Sequence, residues 1–95
     1  MRHNRCEKLT AEQLRQQYRK GRRNFTNVDL HGHDLNGLRL SGINLSEAKL
    51  QNCDFSHAQL HGANFNKAEL AGAKFNHAQM GMSFLASLMA LPLTW

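Results

Sequence analysis

The chain has little of what a disulfide scaffold, a secreted protein or a membrane span requires. Its 95 residues contain two cysteines, Cys6 and Cys53, too few for a disulfide framework. The opening MRHNRCEKL has no apolar run of the signal-peptide kind. Together with two free thiols this points to a reducing, cytoplasmic setting. From Phe75 to Trp95 no residue is charged, but the apolar stretch GMSFLASLMALPLTW is shorter than the ~20 residues a spanning helix needs, and it contains Pro92. There is no glycine-rich phosphate loop, no nucleophile elbow and no carboxylate pair set for acid–base work. These absences exclude the common enzyme classes, and no cofactor is expected. One domain is all that this length supports.

Charge is unevenly placed. Residues 1–23 hold eight basic and two acidic groups, whereas residues 24–95 hold four basic and five acidic ones. The basic character therefore belongs to an N-terminal arm. Arg15, Arg19, Lys20, Arg22 and Arg23 are the candidate anion-binding residues, suited to phosphate contacts. The arm has Tyr18 as its single aromatic residue and no recognised nucleic-acid motif, so a solvated face is the simpler reading.

What the sequence has in abundance is a period of five. Phe25, Leu30, Leu35, Leu40, Leu45, Leu50, Phe55, Leu60, Phe65, Leu70, Phe75 and Met80 follow one another at that spacing. Two residues before each stands Arg23, Val28, His33, Leu38, Ile43, Ala48, Cys53, Ala58, Ala63, Ala68, Ala73 or Ala78, mostly small and apolar. A helix turns ~100° per residue, so a five-residue step would scatter these side chains around its axis. A flat strand would put them on alternating faces, because five is odd. A fixed short period kept over about sixty residues points instead to a repeating architecture with both residues turned inward.

The segments VDLHG, INLSE, CDFSH, ANFNK and AELAG resemble the pentapeptide repeat, A(D/N)LxX, across residues 23–82 in unbroken register. The resemblance implies an all-β solenoid, a right-handed quadrilateral β-helix with four pentapeptides per coil, so about three coils here, behind an N-terminal α-helical cap. Residues twenty apart should then stack: Asp29, Lys49 and Glu69 in alternating sign, Glu47 under Lys67, and Asn24, Asn44 and Asn64 as an amide ladder. Five glycines fill the last slot of a repeat, where a corner calls for positive φ, and Asn27 and Asn52 tolerate it. Glu47, His57, Lys67 and His77 fit it poorly, so a different turn is expected there. Arg23 should point away at the open end; His33 would be buried in a strict frame, and the simpler reading is a loose first coil in which it snorkels or bonds a backbone carbonyl. His57 and His77 should be neighbours near Asp54 and Asp34, yet two imidazoles do not close a zinc site, and no metal is expected.

The two ends differ. Thr10 and Gln13 form a capping box, Leu9 and Leu14 a hydrophobic staple, and Ala11, Leu14 and Tyr18 one face, predicting a helix over residues 10–20 that covers the first coil. At the other end Phe84, Leu85, Leu88, Met89, Leu91, Leu93 and Trp95 form an apolar tail expected to join two chains end to end as a homodimer. Three parts result: a basic arm and cap (1–22), the repeats (23–82) and the tail (83–95).

The functional expectation is a non-catalytic scaffold that mediates protein–protein interaction. A nucleic-acid-associated or topoisomerase-modulating protein is the alternative, and a peripheral membrane protein using the tail is the third reading. The activity best known among proteins of the resembled family, inhibition of DNA gyrase by duplex mimicry, calls for a long acidic rod. This repeat segment is short and carries four basic against five acidic groups.

Overall fold

The computed structural model describes residues 6–81. The chain enters through strand β1 (Glu7–Lys8), continues into helix α1 (Ala11–Arg19) and reaches strand β2 (Val28–Asp29). The helix starts where the sequence predicts. The Thr10 side chain accepts from the Gln13 N–H at 3.1 Å, and the Gln13 side chain accepts from the Thr10 N–H at 2.9 Å. Two of the orphan donors of the first turn are thereby satisfied. Lys20 is the C-cap, and Gly21 follows at φ 111°, a conformation that ends helices. Leu14 is fully buried, and Ala11 and Tyr18 pack beside it against the core, so the apolar stripe of α1 faces inward as its spacing requires.

β1 pairs in parallel with β2, Glu7 opposite Val28 and Lys8 opposite Asp29. No residue pattern in positions 6–9 marks this strand. It lies over the outermost repeat and occupies part of that repeat's backbone edge, with Leu9 N–H bonding to the Asp29 carbonyl at 3.2 Å.

The expected all-β solenoid, a right-handed quadrilateral β-helix, is corrected by this structure. Among the described residues, regular secondary structure is limited to two strands of two residues and one short helix. The single sheet has two strands and does not close. Residues 24–79 are linked by isolated parallel bridges, one residue pair at a time, rather than by strand ladders. The cause is the brevity of the repeat. In each pentapeptide the chain turns after the central residue, whose carbonyl accepts from the N–H three residues on, as in Phe55 to Ala58 at 3.0 Å. One bridging residue remains between successive turns, and a strand needs more.

The twenty-residue register nevertheless holds. Asn24, Asn44 and Asn64 are bridged in line, as are Asp29, Lys49 and Glu69, with Lys8 of β1 opposite Asp29. The inward assignment holds as well. All twelve central residues from Phe25 to Met80 are buried, along with Val28, Ile43, Cys53 and Ala48, Ala58, Ala63, Ala68 and Ala73. Three phenylalanines form one cluster: Phe55 stacks on Phe75 at 5.1 Å and meets Phe65 edge-on at 5.7 Å.

Several local expectations change. Glu47, His57, Lys67 and His77 adopt positive φ of 60–63°, as Asn27 and the glycines of that slot do. All corners use one turn. The amide ladder is also replaced: Asn24, Asn44 and Asn64 each accept, through the side-chain oxygen, from the N–H two residues on, at 2.8–3.1 Å. Asp29, Asp34 and Asp54 do the same. In these six repeats the Asp or Asn thus satisfies a turn N–H. His33 is half-buried, as the reading of a loose first coil expects.

A candidate anion-binding cleft

Helix α1 is pinned to the repeats by Tyr18, whose hydroxyl donates to the Ser41 carbonyl at 2.5 Å. Arg23 folds back instead of pointing away. Its guanidinium lies 3.7 Å from the centre of the Tyr18 ring and donates to the Tyr18 carbonyl at 2.9 Å. Between helix and repeats this leaves a cleft of about 560 Å³ lined by Arg15, Tyr18, Arg19, Arg23, Gly37, Leu38 and Arg39. That volume falls within the range of small-ligand clefts.

The structure sorts the five basic residues named from the sequence. Arg15, Arg19 and Arg23 come together at the cleft. Lys20 lies apart, on a depression with Gln16 and Arg19. Arg22 is a structural residue. It pairs with Glu7 at 2.8 Å, donates to Gln17 at 2.5 Å and to the Asn24 carbonyl at 2.7 Å, and lies 4.3 Å from the Phe25 ring centre. The Arg22 guanidinium holds the Glu7 carboxyl below the usual carboxylate range. Arg39 joins the cleft from the repeat side, and sequence reasoning missed it. Its one signal is that it is the sole arginine of residues 24–95.

Charge in the cleft is only partly balanced. Arg15 pairs with Glu12 at 2.5 Å on the helix surface. Arg19 and Arg39 have no ion pair among the described residues, and both are exposed. Arg39 is bridged to Gln59, and Gln59 to Gln79, so its own column is otherwise neutral.

Other candidate groups remain apart. His57 and His77 stack at 5.1 Å as expected of neighbours, and among the described residues no three His, Cys, Asp or Glu side chains are grouped to hold a metal. The His31 Nδ1 lies 2.7 Å from the Asp29 carboxylate, and this hydrogen bond is the chief reason that the Asp29 pKa is lowered. Cys53 is buried, donates its thiol to the Leu30 carbonyl and is pushed up to about 12 by burial. The seven tail residues assigned to a dimer interface, Phe84 to Trp95, lie outside the described residues. Among the described residues no helix is long and apolar enough to cross a membrane.

Residues 39–76 match the family model "Pentapeptide repeats", in eight copies. No curated protein matches the sequence significantly. Among solved structures, a pentapeptide repeat protein from Nostoc Pcc 7120 is 24% identical over 94% of this chain and 98% of its own, with a TM-score of 0.41.

Proposed function

We propose a protein-recruiting role for this chain, which belongs to the pentapeptide-repeat family and is a non-catalytic repeat scaffold. The observation that carries the reading is the filled interior. Every central residue from Phe25 to Met80 is buried, while the clefts of about 560 and 490 Å³ are bounded by the helix and by outward side chains. A repeat packed this way acts through its outer face. Backbone bridges hold the repeats together, so outward side chains are free to meet a partner. The apolar tail adds a second contact, a homodimer through residues 82–95.

The reading is tested in cells of the native host with a photo-crosslinking residue at Gln59, Glu69 or Arg39. Discrete protein adducts support it, and their absence at all three positions overturns it. Sedimentation equilibrium on the full chain and on a form ending at Gly81 tests the dimer, which predicts twice the monomer mass for the first alone.

A further inference from the structure

We infer that the cleft between α1 and the repeats takes an acidic segment of a protein partner, its carboxylates bound by Arg19 and Arg39. This rests on the scaffold reading and names the chemistry of the partner. Three guanidinium groups without an ion pair among the described residues line one cleft; Arg23 is held against the Tyr18 ring and carbonyl, which leaves Arg19 from the helix and Arg39 from the repeats. Holding like charges around a concave site is unfavourable until an anion enters. Arginine suits carboxylates because its planar fork binds both oxygens at once. Leu38, partly buried against the core, supplies an apolar contact for the aliphatic part of a peptide.

Nucleic acid fits less well. Arg23 covers a face of the Tyr18 ring, and the Tyr18 hydroxyl is already bonded, so the ring is a poor platform for a stacked base. A duplex needs a track of cations along its phosphates. Here the residues bridged in line with Arg39 are neutral glutamines, and another column of the repeats carries Asp34 and Asp54 with one cation, Lys74.

The test uses the full chain and a labelled octapeptide of alternating Glu and Leu, followed by fluorescence anisotropy. Controls are the same peptide with Gln for Glu, a twenty-base-pair duplex and a single-stranded oligonucleotide. The expected result is saturable binding of the Glu peptide that weakens in salt. Arg19→Gln and Arg39→Gln should each weaken it at least tenfold, as loss of a charge-assisted contact requires, whereas Lys74→Gln should leave it unchanged. Both arginines are exposed, and an unchanged thermal midpoint reports an intact fold. Equal binding of the Gln peptide, insensitivity to both arginine changes, or no binding up to millimolar peptide overturns the inference. Tighter, Arg39-dependent binding of either oligonucleotide overturns it too and assigns the cleft to nucleic acid. If the peptide fails while crosslinks form at Gln59 or Glu69, the cleft assignment falls and the scaffold reading stands.

Discussion

Phe55→Ala probes the repeat register more directly than any other substitution. Phe55 is fully buried and sits one register step from Phe75, with the rings nearly parallel at 6° and 5.1 Å apart. It also meets Phe65 edge-on at 84°. Truncating a buried Phe to Ala costs ~3–5 kcal/mol from lost transfer energy and the cavity left behind. Each aromatic pair contributes ~0.5–1.5 kcal/mol beyond buried area, and two are lost, so the upper half of that range is expected. A small domain has ~5–15 kcal/mol in total, so the variant should keep little stability. Urea unfolding followed by circular dichroism reads the midpoint shift. A cycle with Phe75→Ala should give a coupling of ~0.5–1.5 kcal/mol for the stacked pair. A midpoint within ~0.5 kcal/mol of the parent, the scatter expected of surface changes, would refute the inward placement and with it the twenty-residue register.

Three further outcomes follow from local geometry. Lys67→Gly should raise stability by ~0.5 kcal/mol, because relief of a left-handed residue gives ~1–2 kcal/mol and glycine's extra chain entropy takes back part of it; a lowered urea midpoint would count against the shared corner geometry. In the native protein at pH 8 a thiol reagent should modify half-exposed Cys6 and leave Cys53 untouched until the chain unfolds, since burial pushes the Cys53 thiol to about 12; fast loss of both thiols would contradict this. Glu7, Asp29 and Asp54 are all lowered from their ordinary values of 4.5, 3.8 and 3.8, chiefly by hydrogen bonds from Arg22, His31 and Ser56. Their folded pKa values lie below the unfolded ones, so this stabilisation is complete above the ordinary carboxylate range and is lost as pH falls through the folded values. A thermal midpoint that stays flat between pH 6 and 3, the span over which unfolded carboxylates protonate, would refute it.

The sequence was legible where one residue decides an outcome. The capping box, the buried face of α1 and the inward residues could all be read from spacing, because burial and capping act on single side chains. Strand content was not legible, because it depends on how many residues remain between turns. The corners at Glu47, His57, Lys67 and His77 were misjudged for a related reason. A left-handed residue costs ~1–2 kcal/mol, and local preference opposes it. Yet the corners at Glu47, His57 and Lys67 each join two buried positions, and the N–H of Glu47 and of His57 bonds to the carbonyl nineteen residues on, of Asn66 and Asn76, at 2.9 Å. A net ~0.5–1.5 kcal/mol per bond, added to the burial on either side, outweighs the preference. Arg22 and Arg39 look alike as letters. Only the folded chain shows that one is consumed by Glu7, Gln17 and Asn24 while the other carries an unpaired charge at a cleft.

Arg39 also occupies a slot with a structural use elsewhere. At positions 24, 29, 34, 44, 54 and 64 an Asp or Asn oxygen accepts from the N–H two residues on and closes the turn. An arginine has no acceptor, so position 39 forgoes that bond. Folding and binding then make opposite demands on one residue, and Arg39→Asn separates them. The asparagine restores the turn acceptor used at positions 24, 44 and 64, so the urea midpoint should hold or rise, by at most ~1 kcal/mol for one hydrogen bond. The same change removes a free guanidinium from the cleft, so binding of the Glu–Leu octapeptide should fall at least tenfold, as loss of a charge-assisted contact requires. If the variant is destabilised by more than ~1 kcal/mol, beyond the usual effect of a surface change, then Arg39 serves the fold and its charge is incidental. If stability rises and binding persists, the anion is held by the helix arginines alone. Stability kept and binding lost is the outcome that makes Arg39 a residue placed for a partner.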